Sequence, residues 1–315
     1  MDIDSLIKKD VSLADFTTFK IGGPARFFVE VETKEELDEA KNWAEKEDLG
    51  LFLLGGGSNI LVSDDGFDGL VMKLANKDWE LEGNRISCGA GAGLNQILPR
   101  LAEKGLSGLE WAAGIPGITL GGAVRGNAGA FGHYTSDVIR SVEVYDLAAK
   151  KWSYFKHREC DFGYRDSVFK HKRNLLIWRA DLEFESRDKA EIKKDIRANT
   201  EKRNKGQPRK PSAGSVFKNF SLEHMRKYAP SLADRAQYEE IVKEGMVGAG
   251  WVIDQLDLGC QKIGGAQVSD EHANFIINTG QATALDVITL IGYIKQKVRD
   301  NFGLQLREEI QYVGF

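Results

Sequence analysis

Seven glycines lie between residues 114 and 132, interleaved with alanines and a few apolar side chains. A segment this rich in glycine cannot form one regular helix or strand along its whole length. The apolar residues Ile115, Leu120 and Val124 favour burial of the segment over the alternative, a mobile linker. A buried backbone with few side chains can pack closely against a large flat ligand and recognise its edges through N–H and C=O groups. The candidate contacts are Gly114, Ile115, Pro116, Gly117, Gly121, Gly122, Asn127, Ala128 and Gly129.

A second glycine-rich loop, Gly55-Gly56-Gly57-Ser58-Asn59, lies between two short apolar strands predicted at 51–54 and 60–62. Backbone N–H groups without neighbouring Cβ atoms can surround a diphosphate, and Ser58 and Asn59 add side-chain donors. The alternative interpretation is a tight turn between the strands. Because the loop follows a strand–helix–strand pattern, it has a common position for a ligand in α/β sheets.

The chain lacks the usual nucleotide-binding motifs. The loop at 55–59 lacks the Lys-Ser/Thr pair of a nucleoside triphosphatase, and Gly89-Ala-Gly91-Ala-Gly93 lacks the final spacing of the common dinucleotide fingerprint. A dinucleotide held without that fingerprint suggests FAD bound by a different fold.

Several helices and strands follow from periodicity and end signals. Strands are predicted at 26–32, 142–145, 175–184 and 306–313, and a helix is predicted at 94–104, although Pro99 interrupts its pattern. Thr33 with Glu36 and Thr283 with Asp286 are capping-box pairs, each of which predicts a helix start.

Composition excludes several classes of function. The 315 residues are 42% hydrophobic with a net charge of −4, which gives no general attraction to nucleic acid or acidic membranes. The three cysteines are far apart, so we expect small core residues rather than disulfides or a metal site. The sequence shows neither a signal peptide nor a membrane-spanning apolar run, and a reducing cytoplasm fits best.

Three polar positions are candidates for chemistry. Ser215 lies in Pro-Ser-Ala-Gly-Ser-Val-Phe-Lys-Asn at 211–219, Arg165 in Tyr-Arg-Asp-Ser at 164–167, and Glu309 in the predicted terminal strand. A serine needs neighbours that fix its hydroxyl and a cofactor that drives the reaction. Taken alone, Arg165 is better explained by a surface ion pair with Asp161 or Asp166, and Glu309 by an exposed strand charge.

Two further features are interpreted structurally. The basic run Arg203–Lys210 is more typical of a solvated linker than of a phosphate site, and we place a domain boundary there. His272 could act as a base, but a hydrogen-bonded structural histidine is the favoured interpretation.

The order of motifs resembles the UDP-N-acetylenolpyruvoylglucosamine reductases, the MurB flavoenzyme family, in its shorter type without an extra tyrosine-bearing loop. The resemblance extends over nearly the whole chain. It rests on Thr18–Arg26, Leu54–Asn59, Gly114–Gly117, Tyr164–Ser167, Pro211–Asn219, Ile253–Gln255, Ile263–Ser269, His272–Phe275 and Leu306–Ile310.

The resemblance implies a mixed α/β and α+β fold: an FAD-binding fold of the vanillyl-alcohol-oxidase type in two subdomains, with a third α/β domain that binds substrate. The implied boundaries are 1–73 for the first subdomain, 74–207 for the second and 208–304 for the substrate domain. Residues 305–315 would return to the first subdomain.

The resemblance also implies the reaction. Hydride would pass from NADPH to N5 of FAD and then to C3 of the enolpyruvyl ether of UDP-N-acetylglucosamine, and Ser215 would protonate C2. Arg165 resembles the arginine that binds the substrate carboxylate, and Glu309 the carboxylate opposite it. Further substrate contacts would come from Tyr164, Lys218, Asn219 and Gln255. The implied protein is a cytoplasmic monomer without metal.

The chain departs from the family pattern at three places: Phe220 replaces a proline, Arg125-Gly126 a tyrosine-methionine pair, and Gln311 an arginine. Two other functions stay open at this point. One is an FAD-dependent oxidase of a small alcohol or hydroxy acid, and the other is a non-catalytic nucleotide-sugar-binding module.

Overall fold

The computed structural model describes residues 3–315 as two compact units. The first unit contains the chain up to Val11 together with Ala25–Gly57 and Asp68–Lys205, and the second contains Ser12–Pro24, Ser58–Phe67 and Gly206–Phe315. Each unit has a hydrophobic core of its own. The three-domain division implied by the family resemblance stays a prediction.

Two sheets form the framework of the first unit. A four-stranded sheet has the order Lys8–Ser12, Pro24–Val31, Phe67–Leu74, Gly50–Leu54, and its last two strands are parallel. A five-stranded antiparallel sheet has the order Lys151–Lys156, Ile139–Asp146, Leu175–Glu183, Arg85–Gly89, Trp79–Glu82. Short pairs join Gly129–Ala130 to His133–Tyr134 and Leu106–Ser107 to Glu185–Ser186. The predicted strands at 26–32, 142–145 and 175–184 are therefore confirmed with shifted ends.

The α-helices that begin in the first unit are Lys34–Lys46, Leu94–Lys104, Leu120–Gly126, Val168–His171 and Lys189–Gly206. The predicted capping box at Thr33 and Glu36 is confirmed. Pro99 lies inside the helix Leu94–Lys104, which continues to a left-handed Gly105. The apolar stripe of this helix is buried, and that burial offsets the backbone hydrogen bond that proline removes.

A four-stranded antiparallel sheet and four helices form the second unit. The sheet order is Ser212–Ser215, Phe275–Asn278, Ala266–Val268, Lys262–Ile263. The helices are Leu222–Tyr228, Pro230–Tyr238, Ala249–Asp254 and Ala284–Phe302, and a short pair joins Phe220–Ser221 to Met246–Val247. Thr283 and Asp286 cap the last helix as predicted, and Gly303 ends it in a left-handed conformation.

The final strand is shorter than the sequence predicted. Only Gln311–Val313 is a regular strand, and it pairs in parallel with Ile60–Val62. The preceding residues make a single antiparallel bridge, Phe217 with Glu308, because they cross over the Ser215 segment instead of continuing one ladder. Among residues 3–315, no helix combines the length and apolar character needed to cross a membrane.

Candidate functional site

The two glycine-rich segments meet within the first unit. A Cβ atom added at Gly56 would lie 1.6 Å from the carbonyl oxygen of Gly117, and one added at Gly55 would lie 2.9 Å from Oγ1 of Thr119. Only glycine fits at Gly56, since the backbone of the facing loop occupies the space of any side chain. The two segments thus form one backbone surface.

Part of that surface is already hydrogen bonded within the unit. The N–H groups of Ile115, Gly121 and Ala128 donate to the carbonyl oxygens of Ala112, Ala90 and Ala123. By contrast, those of Gly56 and Gly117 donate no hydrogen bond to any residue within 3–315. A Cβ at Gly126 would meet no atom within 4 Å, so the backbone at that residue of the segment borders open space.

Side chains clamp the segment that leads into this surface. Asn95 donates from Nδ2 to the carbonyl oxygen of Ile115 at 2.7 Å and accepts the N–H of Gly114 at 3.1 Å. Arg203 donates to the carbonyl oxygens of Trp111 at 2.7 Å and Ala113 at 3.0 Å.

The assignment of Arg203 to a solvated linker was therefore wrong. Arg203 is only 9% exposed and belongs to the helix Lys189–Gly206. Burial lowers its pKa to about 10, and the nearby charge of Arg165 adds to this effect. The basic composition of the run concealed this role, because local charge says nothing about which arginine turns inward.

Arg165 lies in a tight turn of the first unit. Reciprocal backbone hydrogen bonds between Gly163 and Asp166 enclose Tyr164 and Arg165, and Arg165 adopts a left-handed conformation with φ of 54°. A non-glycine residue in this region is strained, and such strain is common at functional sites. The guanidinium lies 5.5 Å from the Tyr164 ring and donates to the carbonyl oxygen of Gly129 at 2.8 Å.

Asn127 links this turn to the glycine-rich segment. Its side chain donates to the carbonyl oxygen of Gly163 at 2.9 Å and accepts the N–H of Ser136 at 3.0 Å. These bonds occupy both ends of the amide, so Asn127 can offer a ligand little beyond its backbone.

Ser215 and Glu309 come together in the second unit. The N–H of Glu309 donates to the carbonyl oxygen of Val216 at 2.7 Å, and the N–H of Lys218 donates to that of Arg307 at 2.8 Å. Ser215 thus directly precedes Val216, the residue that accepts the hydrogen bond from Glu309. Its hydroxyl forms no hydrogen bond with any residue between 3 and 315, so it is available to a ligand.

The neighbouring candidates divide into two kinds. The Lys218 ammonium has no ion-pair or hydrogen-bond partner within the described part of the chain, and it suits an anion. Asn59, Asn219 and Gln255 instead bind backbone: Asn59 donates to the carbonyl oxygen of Glu309 at 3.3 Å, Asn219 accepts the N–H of Ala249, and Gln255 donates to the carbonyl oxygen of Trp251.

His272 has the environment of a structural histidine. Its Nδ1 accepts the N–H of Asn274 at 3.2 Å, and burial lowers its pKa, although Asp254 nearby opposes the shift. Cys88 and Cys160 are buried as predicted, whereas Cys260 is exposed, which contradicts its assignment to the core. Residues 3–315 contain no group of three or more metal-ligating His, Cys, Asp or Glu side chains.

A backbone surface with unused N–H groups at Gly56 and Gly117 fits a flat ligand that carries phosphates. Residues 25–150, which contain both glycine-rich segments, match the model of the FAD binding domain. The protein is therefore a flavoprotein of the FAD-binding type, as its fold class predicted.

Comparison with known proteins narrows this class. Residues 207–313 match the model of the C-terminal domain of UDP-N-acetylenolpyruvoylglucosamine reductase. Curated reductases of that name are similar over nearly the whole chain. The one from Solibacter usitatus is 37% identical, with 98% of this chain and 97% of the relative covered, and the one from Bacillus subtilis is 35% identical, with 96% and 92% covered.

A solved structure agrees with this relationship. The MurB reductase from Thermus caldophilus superposes with a TM-score of 0.77 at 33% identity and covers 98% of this chain and 99% of its own. The chain belongs to the UDP-N-acetylenolpyruvoylglucosamine reductase family.

Proposed function

We propose that the protein is a UDP-N-acetylmuramate dehydrogenase of peptidoglycan synthesis, which reduces the enolpyruvyl ether of UDP-N-acetylglucosamine with NADPH. The observation that carries this proposal is the fixed register of Ser215 against Glu309 in a chain of this family. Bound FAD would supply hydride transfer, accepting hydride from NADPH and delivering it to the substrate. The cofactor contacts would come from the glycine-rich backbone at 55–59, 114–117, 121–122 and 127–129.

The protein's own residues would handle charge and proton. Hydride addition at C3 of the vinyl ether places negative charge on C2, where it spreads into the adjacent carboxylate. Arg165 would stabilise that charge with a fixed guanidinium. Ser215 would donate its proton to C2, which completes the lactyl ether. A hydroxyl is a weak acid, but a carbanion of this kind is basic enough to take its proton.

Glu309 would act next to Ser215, and the remaining candidates would bind the substrate. The uncompensated ammonium of Lys218 suits the diphosphate of the nucleotide sugar. Tyr164 would support Arg165, and Asn219 and Gln255 would contribute polar side-chain atoms to the substrate contacts. We further propose that the enzyme acts as a cytoplasmic monomer.

Anaerobic absorbance spectroscopy tests the proposal. The purified protein should be yellow from bound FAD, NADPH should bleach the colour, and the UDP-enolpyruvyl sugar should restore it in the absence of oxygen. Recovery only in air would favour an oxidase instead. A protein that binds the nucleotide sugar but is never bleached by NADPH would be a binding module. Either of these results would overturn the proposal.

A further inference from the structure

The backbone around Ser215 loses its sheet partner just where the chemistry is expected. The strand Ser212–Ser215 pairs with Phe275–Asn278, and the ladder ends at the pair Ser215 and Phe275 after an irregularity at the left-handed Gly214. Beyond Ser215, the next residues need other hydrogen-bond partners, because buried backbone groups are rarely left unpaired.

The segment 307–309 supplies partners on one edge only. Phe217 faces Glu308 in an antiparallel bridge, and the bonds on either side run from Lys218 to Arg307 and from Glu309 to Val216. In such a pair the two facing residues do not bond each other. The N–H and C=O of Phe217 itself therefore point to the opposite edge, away from Glu308.

Asn274 takes the place of the missing strand on that edge. Its Oδ1 accepts the N–H of Phe217 at 2.9 Å, and its Nδ2 donates to the carbonyl oxygen of Phe217 at 2.9 Å. Its backbone carbonyl accepts the N–H of Val216 at 2.8 Å. Asn274 is 3% exposed, and His272 holds its N–H. The side-chain amide of Asn274 thus makes the two hydrogen bonds that a peptide group of a neighbouring strand would make.

We propose that Asn274 is a positioning residue for proton delivery. It fixes the two residues that follow Ser215, and through the bond from Glu309 to Val216 it also sets the register of the carboxylate segment. A displacement of about 1 Å at a reacting group can cost roughly 10²-fold in rate, so the two side-chain hydrogen bonds of Asn274 would affect the rate by holding the Ser215 segment in place. This inference rests on the proposed function, since it concerns the step in which Ser215 protonates substrate.

The variant Asn274→Asp distinguishes a positioning role from a purely structural one, because only a positioning role predicts the pH-dependent rescue described below. An ionised carboxylate can accept the Phe217 N–H but cannot donate to its carbonyl oxygen. A protonated carboxyl has the shape of the amide and can do both. Asn278→Asp is the matched control. Asn278 is also a buried asparagine of the strand Phe275–Asn278, but its side chain binds Phe19, Lys20, Gly280 and Ala282.

Stopped-flow absorbance measures both half-reactions from pH 5.5 to 8.5 relative to wild type. In Asn274→Asp, bleaching by NADPH should stay within about twofold, while recovery with the UDP-enolpyruvyl sugar should be roughly 10²-fold slower at high pH. That recovery should approach the wild-type rate as the pH falls and the buried carboxyl becomes protonated. Asn278→Asp should show no such pH-dependent rescue.

Three results would overturn the inference: wild-type recovery by Asn274→Asp at high pH, the same pH profile in both variants, or loss of bleaching together with recovery at every pH. Wild type is measured in the same experiment. If wild type itself is not reoxidised by the UDP-enolpyruvyl sugar, the proposed function fails. If wild type is reoxidised and the variant behaves like it, only the role of Asn274 is wrong.

Discussion

The candidate residues of the two units are held in place by opposite means. In the first unit, glycine backbone meets glycine backbone, as at Gly56 and Gly117, and this close approach depends on the absence of side chains. In the second unit, the Ser215 segment is held by the side-chain amide of Asn274 and the Glu309 segment by that of Asn59. The first arrangement suits a large rigid ligand, and the second suits a proton donor whose position must be set finely.

This difference predicts how each unit responds to substitution. An added methyl group should be most damaging in the first unit, because a close-packed backbone cannot move aside. In the second unit, the damage should come from changes in hydrogen-bonding capacity at constant shape, since a buried polar group left unpaired costs roughly 1–3 kcal/mol. The predictions below run from the largest expected effect to the smallest.

Gly56→Ala should abolish FAD binding. The added Cβ would overlap the carbonyl oxygen of Gly117, so the two loops must separate. The purified variant should lack yellow absorbance and should not take up added FAD in a fluorescence titration. Gly292→Ala is the control, because this exposed helix position has open space around it. That variant should bind FAD normally and gain about 0.5–1 kcal/mol in the free energy of unfolding. Normal FAD content in Gly56→Ala would contradict the backbone-contact model.

Ser215→Ala should separate the half-reactions. Bleaching by NADPH should continue at the wild-type rate, whereas recovery with substrate should slow by roughly 10²–10⁴-fold, the usual contribution of a general acid. Ser212→Ala, on the same strand, is the control and should recover normally. Rapid recovery in Ser215→Ala would show that Ser215 is not the proton donor.

Arg203→Met should weaken FAD binding by about 10–100-fold, because the carbonyl oxygens of Trp111 and Ala113 lose their buried donors. A fluorescence titration gives the dissociation constant. Lys202→Met removes the exposed neighbouring cation, which also lies near the ring of Phe131, and should change the constant little. Equal effects of the two substitutions would point to net charge instead of the clamp.

His272→Gln should reduce the pH dependence of stability. Burial lowers the pKa of His272 below the ordinary histidine value of 6.5, so the unfolded chain binds a proton more readily than the folded protein. Stability from this residue should therefore fall as the pH drops through and below about 6.5. The raised pKa of Asp254 acts in the opposite direction.

Urea unfolding at pH 5 and pH 7 gives the comparison. The loss of stability between these values should be smaller in His272→Gln than in wild type, and unchanged in His133→Gln, a substitution of an exposed histidine. The same loss in His272→Gln as in wild type would show that protonation of His272 does not change the free energy of unfolding.

Local signals predicted much of this structure. The capping boxes at Thr33 and Thr283 and the helix at 94–104 follow from contacts within four residues, which a sequence displays directly. Glycine density at 114–132 likewise indicated backbone packing, because the apolar residues between the glycines favour burial over a mobile linker. The family resemblance supplied the candidate chemistry of Ser215, Arg165 and Glu309.

Long-range hydrogen bonds were not predictable in the same way. Arg203 belongs to a charged run, yet it is buried against carbonyl groups 90 and 92 residues away. Asn274 is one asparagine among many, and its role depends on the end of the strand pairing at Ser215 and Phe275. The left-handed φ of Arg165 carries no sequence signal of the kind that glycine gives. The roles of Arg203 and Asn274 depend on which backbone groups the rest of the fold leaves unpaired.

The pairing of Ile60–Val62 with Gln311–Val313 has a consequence for synthesis. The bond from Asn59 to Glu309 joins residues 250 positions apart, and Leu61 and Val62 of the strand that follows Asn59 are buried. During synthesis, Ile60–Val62 therefore has no parallel strand partner until residues 311–313 have left the ribosome. Chains that end before Glu309 would lack the carboxylate and its register together. Premature termination should therefore leave Ile60–Val62 without its parallel partner and yield a protein that lacks the carboxylate proposed for the substrate step.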